Sequence, residues 1–308
     1  MSHFIKDLDA EDILGMLSAQ LSVDYQVYGR TRGGLISAVG DSRQAGTGRL
    51  SFLPEDFPGD TTLTRSMLIT AKKPETTNKT NVYCVVEDPR AAFIDLLSYL
   101  ANEVGLSPHH RSFLEQSRVD ASAVIAESAV IHPGVSVGPQ TLIGDGCVIH
   151  RGVIIGEGSV IRDNTCIGMD GITVYKAKDG RLLRFPHVSG LEIGRGAEIG
   201  VNCSIAGGIL SATTIGDDVC IGNLCNIGHG VTIGSSAWLA AGILVGGHTQ
   251  IGEYATIGLG SCIRDNLSIG QRVSVAMGSV ITKNVRSGAS VFGNPAKSFG
   301  KLKTGPVR

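Results

Sequence analysis

Residues 119–167 read VDASAVIAESAVIHPGVSVGPQTLIGDGCVIHRGVIIGEGSVIRDNTCI. One aliphatic residue recurs in them every six positions: Val119, Ile125, Ile131, Val137, Ile143, Ile149, Ile155, Ile161 and Ile167. An amphipathic helix repeats its apolar residues every 3.6 positions and a half-buried strand every two. Neither gives a strict six. That period fits a short strand plus a turn, with one inward side chain on each side of a coil. Three such units close one triangular coil of 18 residues, and coils stack at the strand separation of about 4.8 Å. A glycine often follows the aliphatic residue, as at Gly138, Gly144, Gly156, Gly216, Gly234, Gly252 and Gly270. It is read as a corner that needs an unusual backbone.

The phase is lost after Ile167 and returns at Ile193, Ile199 and Ile205. Ten residues then separate Ile205 from Ile215, four more than one repeat, before the series runs on to Ile281. The break at 168–192 holds charges, Gly180 and a Phe-Pro pair, and is expected to be a loop leaving the wall of the coil. Loops of that length are more often functional than idle. Residues 1–117 lack the repeat. Leu35–Gly40, Arg49–Leu53, Met67–Thr70 and Asn81–Val86 read as strands. Asp88-Pro89 reads as the start of a helix whose face carries Phe93, Leu96, Leu97 and Leu100. The expected organisation is a small α/β domain over 1–117, a parallel β-helix over 118–298 and a tail over 299–308.

Charge is balanced, 27 Lys and Arg against 28 Asp and Glu, so no basic face for nucleic acid is implied. Aromatic residues make up 5% and glycines number 42, which suits stacked aliphatic rows and frequent turns. No apolar run is long enough to span a membrane, and the first residues lack the pattern of a signal peptide. The seven cysteines form no C-x-x-C pair. They read as packing residues in a reducing compartment, so a cytoplasmic protein is expected.

Residues 18 apart stack on neighbouring coils. His229, in Asn223-Leu-Cys-Asn-Ile-Gly-His229-Gly, therefore lies one coil from Gly247, in Val245-Gly-Gly-His248. An imidazole beside an open backbone N–H is what acyl transfer needs: a general base, and a donor for the oxyanion. His132 and His150 also stack. They read as a solvated ladder rather than a metal site, and no metal is expected.

Three segments carry a resemblance to the UDP-3-O-acylglucosamine N-acyltransferases, a family of hexapeptide-repeat enzymes. In the first domain these are Leu35-Ile-Ser-Ala-Val with Gly48-Arg-Leu-Ser-Phe-Leu53, and Val85–Phe93. In the break they are Gly168-Met-Asp-Gly171 and Phe185-Pro-His187. In the repeat it is Asn223–His229. The resemblance implies that the β-helix is left-handed and that the chain is a homotrimer. It implies His229 as general base, Gly247 as oxyanion donor, and an uridine-binding first domain in which Phe52 stacks on the base, with Phe57 near by. Asn223, Asn226, His248 and Asn266 are the further substrate-binding candidates. The implied reaction moves an acyl group from acyl carrier protein or coenzyme A to the amine of a nucleotide-linked amino sugar, with no bound cofactor.

The sequence departs from the family at several points. Gly222 stands where the family has Asp, Pro54-Glu-Asp-Phe57 where it has Asn-Pro-Lys-Tyr, and Asn266 where it has a later His. The family's C-terminal helices have no counterpart, and Gly293-Asn-Pro-Ala-Lys297 resembles acetyl-CoA-dependent sugar acetyltransferases instead. Lys283, Arg286, Lys297, Lys301, Lys303 and Arg308 would suit an acidic carrier or the phosphates of coenzyme A. Two alternatives stay open: acetylation of a nucleotide amino sugar for surface polysaccharide, and a non-catalytic β-helix scaffold.

Overall fold

The computed structural model describes residues 3–29, 31, 35–42, 46–54, 62–73, 78–107, 115–295 and 297–298. The chain divides into two compact units. Residues 114–171, 189–208 and 212–308 form the second, a parallel β-helix of three sheets. One sheet starts at Arg118–Val119, one at Val124–Ile125 and one at Val130–Ile131. Residue i pairs with i+18, as Ile143 with Ile161 and Ile227 with Val245. Across the break Ile155 pairs with Ile193, and across the four-residue insertion Ile193 pairs with Ile215. The ladder thus keeps its register by expelling the extra residues. A slip by one would turn every inward aliphatic side chain out to solvent.

The inward column is dry: Ile149, Ile167, Ile199, Ile205, Ile227 and Leu239 are wholly buried. Its strands end on Ser290–Phe292, after which Lys297–Ser298 turns back antiparallel. The seven cysteines are all free. Cys147, Cys203 and Cys225 fall two positions before the inward residue and are buried in the column, whereas Cys166, Cys220 and Cys262 fall one before it, on outward strand positions.

The role expected for the repeat glycines is corrected. Left-handed φ values fall three positions after the inward aliphatic residue, at Gln140, Gly146, Gly152, Gly158 and Asn164, not at the glycine next to it. The glycine next to it is needed for a different reason. A Cβ at Gly216, Gly234 or Gly252 would meet the backbone N of the next coil at 2.5–2.6 Å. These corners approach one another closely, and the missing side chain is what lets them do so.

The other unit comprises residues 1–113, 172–188 and 209–211. Its seven-stranded sheet runs in the order Gln26–Tyr28, Val82–Val85, Met67–Thr70, Arg49–Phe52, Leu35–Val39, His3–Asp9 and Leu106–Ser107. The four strands between Leu35 and Val85 are parallel and the outer ones antiparallel. Helix Pro89–Tyr99 is capped by Asp88, whose carboxylate accepts from the Ala91 N–H at 3.0 Å. Phe93, Leu96 and Leu97 face the sheet and are wholly buried.

The break contains more than a loop. Val174–Lys176 and Leu182–Arg184 pair as a hairpin around Lys178-Asp-Gly180, an arrangement that an Asp-Gly turn between apolar runs favours. The hairpin is tied to the first unit: Tyr175 donates to Asp88 at 3.1 Å, the Lys178 N–H to the same carboxylate at 2.9 Å, and Arg181 pairs with Asp95 at 3.1 Å. Burial pushes the Asp88 carboxyl up, but bonds from Ala91, Lys178 and Tyr175 outweigh it and hold the group below the usual carboxylate range. Phe185, Val188, Ile209 and Leu210 complete that unit's core. Among the described residues, no helix is long and apolar enough to cross a membrane.

Candidate active site

The corner after strand Asn226–Ile227 reads Gly228-His229-Gly230, and the corner stacked on it after Leu244–Val245 reads Gly246-Gly247-His248. Their approach is set by glycine. A Cβ at Gly228 would lie 2.7 Å from the Gly247 N, and one at Gly230 would lie 2.7 Å from Nδ1 of His248. A Cβ at Gly247 would lie 2.6 Å from Cε1 and 2.7 Å from Nε2 of His229. The His229 imidazole therefore rests on the Gly247 backbone, with no space for a side chain between them.

Backbone bonds fix both corners. The His248 N–H donates to the His229 carbonyl at 2.8 Å, and the Asn266 N–H donates to the Gly247 carbonyl at 2.9 Å. The Gly230 N–H donates to Oγ1 of Thr213 at 2.9 Å, and that buried hydroxyl donates to the Ala206 carbonyl at 2.7 Å. At some corners of the solenoid the N–H in the place of Gly247 is taken up by a side chain of the next coil, as Arg195 by Asp217 and Val201 by Asn223, and at others, among them Glu157, Ala241 and Leu259, it donates to nothing among the described residues. Among the described residues the Gly247 N–H donates to nothing. Asp265, the residue of the next coil at that place, is turned aside to Nδ2 of Asn266, 2.6 Å away.

His229, Gly247, His248 and Asn266 are thus brought together. The rings of His229 and His248 meet edge to face with centroids 4.7 Å apart. His248 takes a left-handed φ of 56°, as does Asn266 at 57°, which carries the His248 side chain over Gly230 and against His229. Asn226 is exposed on the adjoining strand, between Ser204 and Leu244 of the neighbouring coils. Asn223 stands at the preceding corner, where its Oδ1 is held by the Val201 N–H at 3.0 Å. Gly222 opens that corner. A Cβ there would meet Ala240 C and Ala241 N at 2.7 Å, so a side chain at this position would require the neighbouring coil to shift.

Two residues that sequence reasoning passed over belong to this description. Thr213 stands two places before an inward Ile, in a row that also holds buried Thr141, Ser159, Thr165, Thr249, Ser261 and Ser279, so its residue type alone did not mark it out. Asp265 lies 18 residues after Gly247, and the same stacking rule reaches it.

Phe52, in the first unit, is half-buried, with ring centroids 5.1 Å from Phe93 and 6.2 Å from Phe185. Phe57 lies outside the described residues, as do Lys301, Lys303 and Arg308. Lys283, Arg286 and Lys297 are exposed. His132 and His150 stack at 4.9 Å with rings 12° from parallel, and Sγ of Cys166 lies 3.4 Å from Nε2 of His150. Burial, and then the charge of His132, hold His150 below the usual histidine range.

Residues 134–169, 212–246 and 248–283 match the family model described as the hexapeptide repeat of succinyl-transferase. The chain is 36% identical over 85 residues to a probable UDP-3-O-acylglucosamine N-acyltransferase of Arabidopsis thaliana, covering 28% of this chain and 28% of that protein. It is 33% identical over 84 residues to the UDP-3-O-acylglucosamine N-acyltransferase of Oleidesulfovibrio alaskensis, covering 27% of this chain and 24% of that one. The aligned part thus spans about a quarter of the length of these relatives. A crystal structure of the UDP-N-acetylglucosamine O-acyltransferase from Moraxella catarrhalis is 29% identical, covers 61% of this chain and 74% of its own, and has a TM-score of 0.38. The chain is a parallel β-helix built from hexapeptide repeats, and over about a quarter of its length it is similar to the UDP-3-O-acylglucosamine N-acyltransferases.

Proposed function

We propose that the chain is an N-acyltransferase that moves an acyl group from a thioester to the amine of a nucleotide-linked amino sugar. The observation that carries this is the His229 imidazole resting on the Gly247 backbone, beside an amide that donates to nothing else among the described residues. The sugar amine attacks the thioester carbonyl carbon while His229 takes the amine proton. The Gly247 N–H holds the oxygen that becomes negative in the tetrahedral intermediate. The C–S bond then breaks, the sulfur leaves with the proton from imidazole, and the amide remains on the sugar. His248, edge-on to His229, holds the base in place. Asn226 and Asn266, which flank the corner, and Asn223, at the corner before it, orient the sugar.

The amino-sugar acceptor rests on the names of the relatives, which are UDP-3-O-acylglucosamine N-acyltransferases. The donor is acyl carrier protein or coenzyme A, and exposed Lys283, Arg286 and Lys297 supply positive charge for either. The active chain is a homotrimer, since flat outward sheets suit three-fold packing, and it works in the cytoplasm, in keeping with seven free cysteines.

The test incubates the protein with UDP-linked amino sugars and a panel of donors: acetyl and long-chain hydroxyacyl groups, each on coenzyme A and on acyl carrier protein. Mass spectrometry should find a new amide on the sugar. A long-chain product assigns the lipid A type of reaction, and an acetyl product assigns surface-polysaccharide chemistry. No product from any donor, with no binding of nucleotide sugar, leaves a scaffold. In the same assay Phe52→Ala should raise the KM for the nucleotide sugar by roughly 5- to 150-fold at little change in kcat. That is the worth of one base stacked on an aromatic ring, about 1–3 kcal/mol. An unchanged KM would remove Phe52 from the site.

A further inference from the structure

Strand Arg49–Phe52 presents two faces to different surroundings. Leu50 and Phe52 pack into the main core of the first unit. Arg49 and Ser51 point to the other face, next to a smaller cluster of Leu53, Leu63, Leu68 and Tyr83. Arg49 is 8% exposed and Ser51 wholly buried.

The Arg49 side chain lies in a slot made by two glycines. A Cβ at Gly46 would sit 2.7 Å from its Nη2 and one at Gly40 would sit 3.2 Å from its Nη1. The backbone N–H of Arg49 is satisfied by Oγ of Ser66 at 3.0 Å. Nη1 of its guanidinium is not: it is buried and bonded to nothing among the described residues, and the same holds for the buried hydroxyl of Ser51. A guanidinium out of water is very costly unless an anion and hydrogen bonds compensate it. Here two donors, one charged, sit two residues apart on one side of one strand, and two glycines leave the space that the charged one fills.

We infer that Arg49 and Ser51 form a binding site for an oxyanion, of the size and charge of a phosphate group. The guanidinium supplies the charge and a planar fork of donors, and the Ser51 hydroxyl donates to a further oxygen. The site does not depend on the acyl-transfer reading, because it faces away from the side of the strand that carries Phe52. The phosphate can come from free phosphate or from the phosphoryl group of a nucleotide.

The experiment melts the full-length protein in anion-poor buffer, then with inorganic phosphate or UDP added, for wild type, Arg49→Met and Ser51→Ala. Phosphate or UDP at 100 times Kd should raise the wild-type melting temperature by about 5 °C or more. If the part of the UDP response that Arg49→Met removes exceeds the response to phosphate at equal concentration, it assigns a nucleotide phosphate, and an equal or larger response to phosphate assigns the free ion. Arg49→Met should abolish the response to phosphate, and any response to UDP that it keeps belongs to the nucleotide site of Phe52. It should also melt higher than wild type in anion-poor buffer, since it removes an uncompensated buried charge. Ser51→Ala should weaken binding by about 10- to 150-fold, the worth of one hydrogen bond to a charged group, and it serves as the test if Arg49→Met does not fold. Absence of any response in wild type, or binding unchanged in the variants that fold, overturns the inference.

Discussion

His229→Ala is expected to lower turnover by roughly 10²- to 10⁴-fold, the usual contribution of a positioned general base. The ring is half-buried at a corner and takes no part in the column of inward aliphatic residues that holds the β-helix together. The variant should therefore fold, assemble and bind nucleotide sugar as before, and the loss should fall on kcat. Single-turnover measurement of amide formation, with a melting curve on the same preparation, separates the two effects. Activity within tenfold of wild type would show that the base lies elsewhere. His248→Ala is the informative companion. If His248 only supports His229 through their edge-to-face contact, its loss should cost less than that of His229, and the double variant should be little worse than His229→Ala alone.

Gly247→Ala is expected to cost activity about 10²- to 10³-fold while leaving the fold nearly intact. Gly247 is not among the residues with left-handed φ, so alanine is not excluded there by the backbone. What excludes it is the neighbour: the new methyl would lie 2.6 Å from Cε1 of His229 and 3.1 Å from Nδ1. The imidazole must swing away or the two corners must part. Either movement separates the base from the N–H proposed to hold the oxyanion, and a misplacement of about 1 Å is enough for a hundredfold loss. The measurement is kcat on the acyl transfer reaction, set against the melting temperature. Loss of both in proportion would mean that the corner itself collapses. Loss of neither would mean that His229 and Gly247 do not act together.

Much of this molecule was legible because a solenoid is read one dimension at a time. A strict period of six admits one inward residue per side, and 18 residues per coil follow from three sides. From that, the stacking of His229 on Gly247, of His132 on His150 and of Asp265 beyond Gly247 is arithmetic. The helix start at Asp88-Pro89 was equally local, because a side-chain cap and a proline at the first turn act within four residues.

Other features depended on distance in space. The glycines after the inward aliphatic residues look like corner residues in the sequence, but their role is set by the backbone of the next coil, which no single coil reveals. The segment 172–188 leaves the β-helix and forms a hairpin whose Phe185 enters the core of the first unit, with Ile209 and Leu210 of the four-residue insertion beside it. Sequence marks both interruptions as breaks in phase and cannot say what receives them. Arg49 reads as an ordinary strand residue between Gly48 and Leu50. Only the folded sheet, with Gly40 and Gly46 drawn around its side chain, makes it a buried charge. Periodicity thus determined the β-helix and the place of His229 in it, because stacking of identical units is a local rule repeated. The tertiary structure decided what fills each space between segments distant in sequence, because packing depends on neighbours that the chain order does not name.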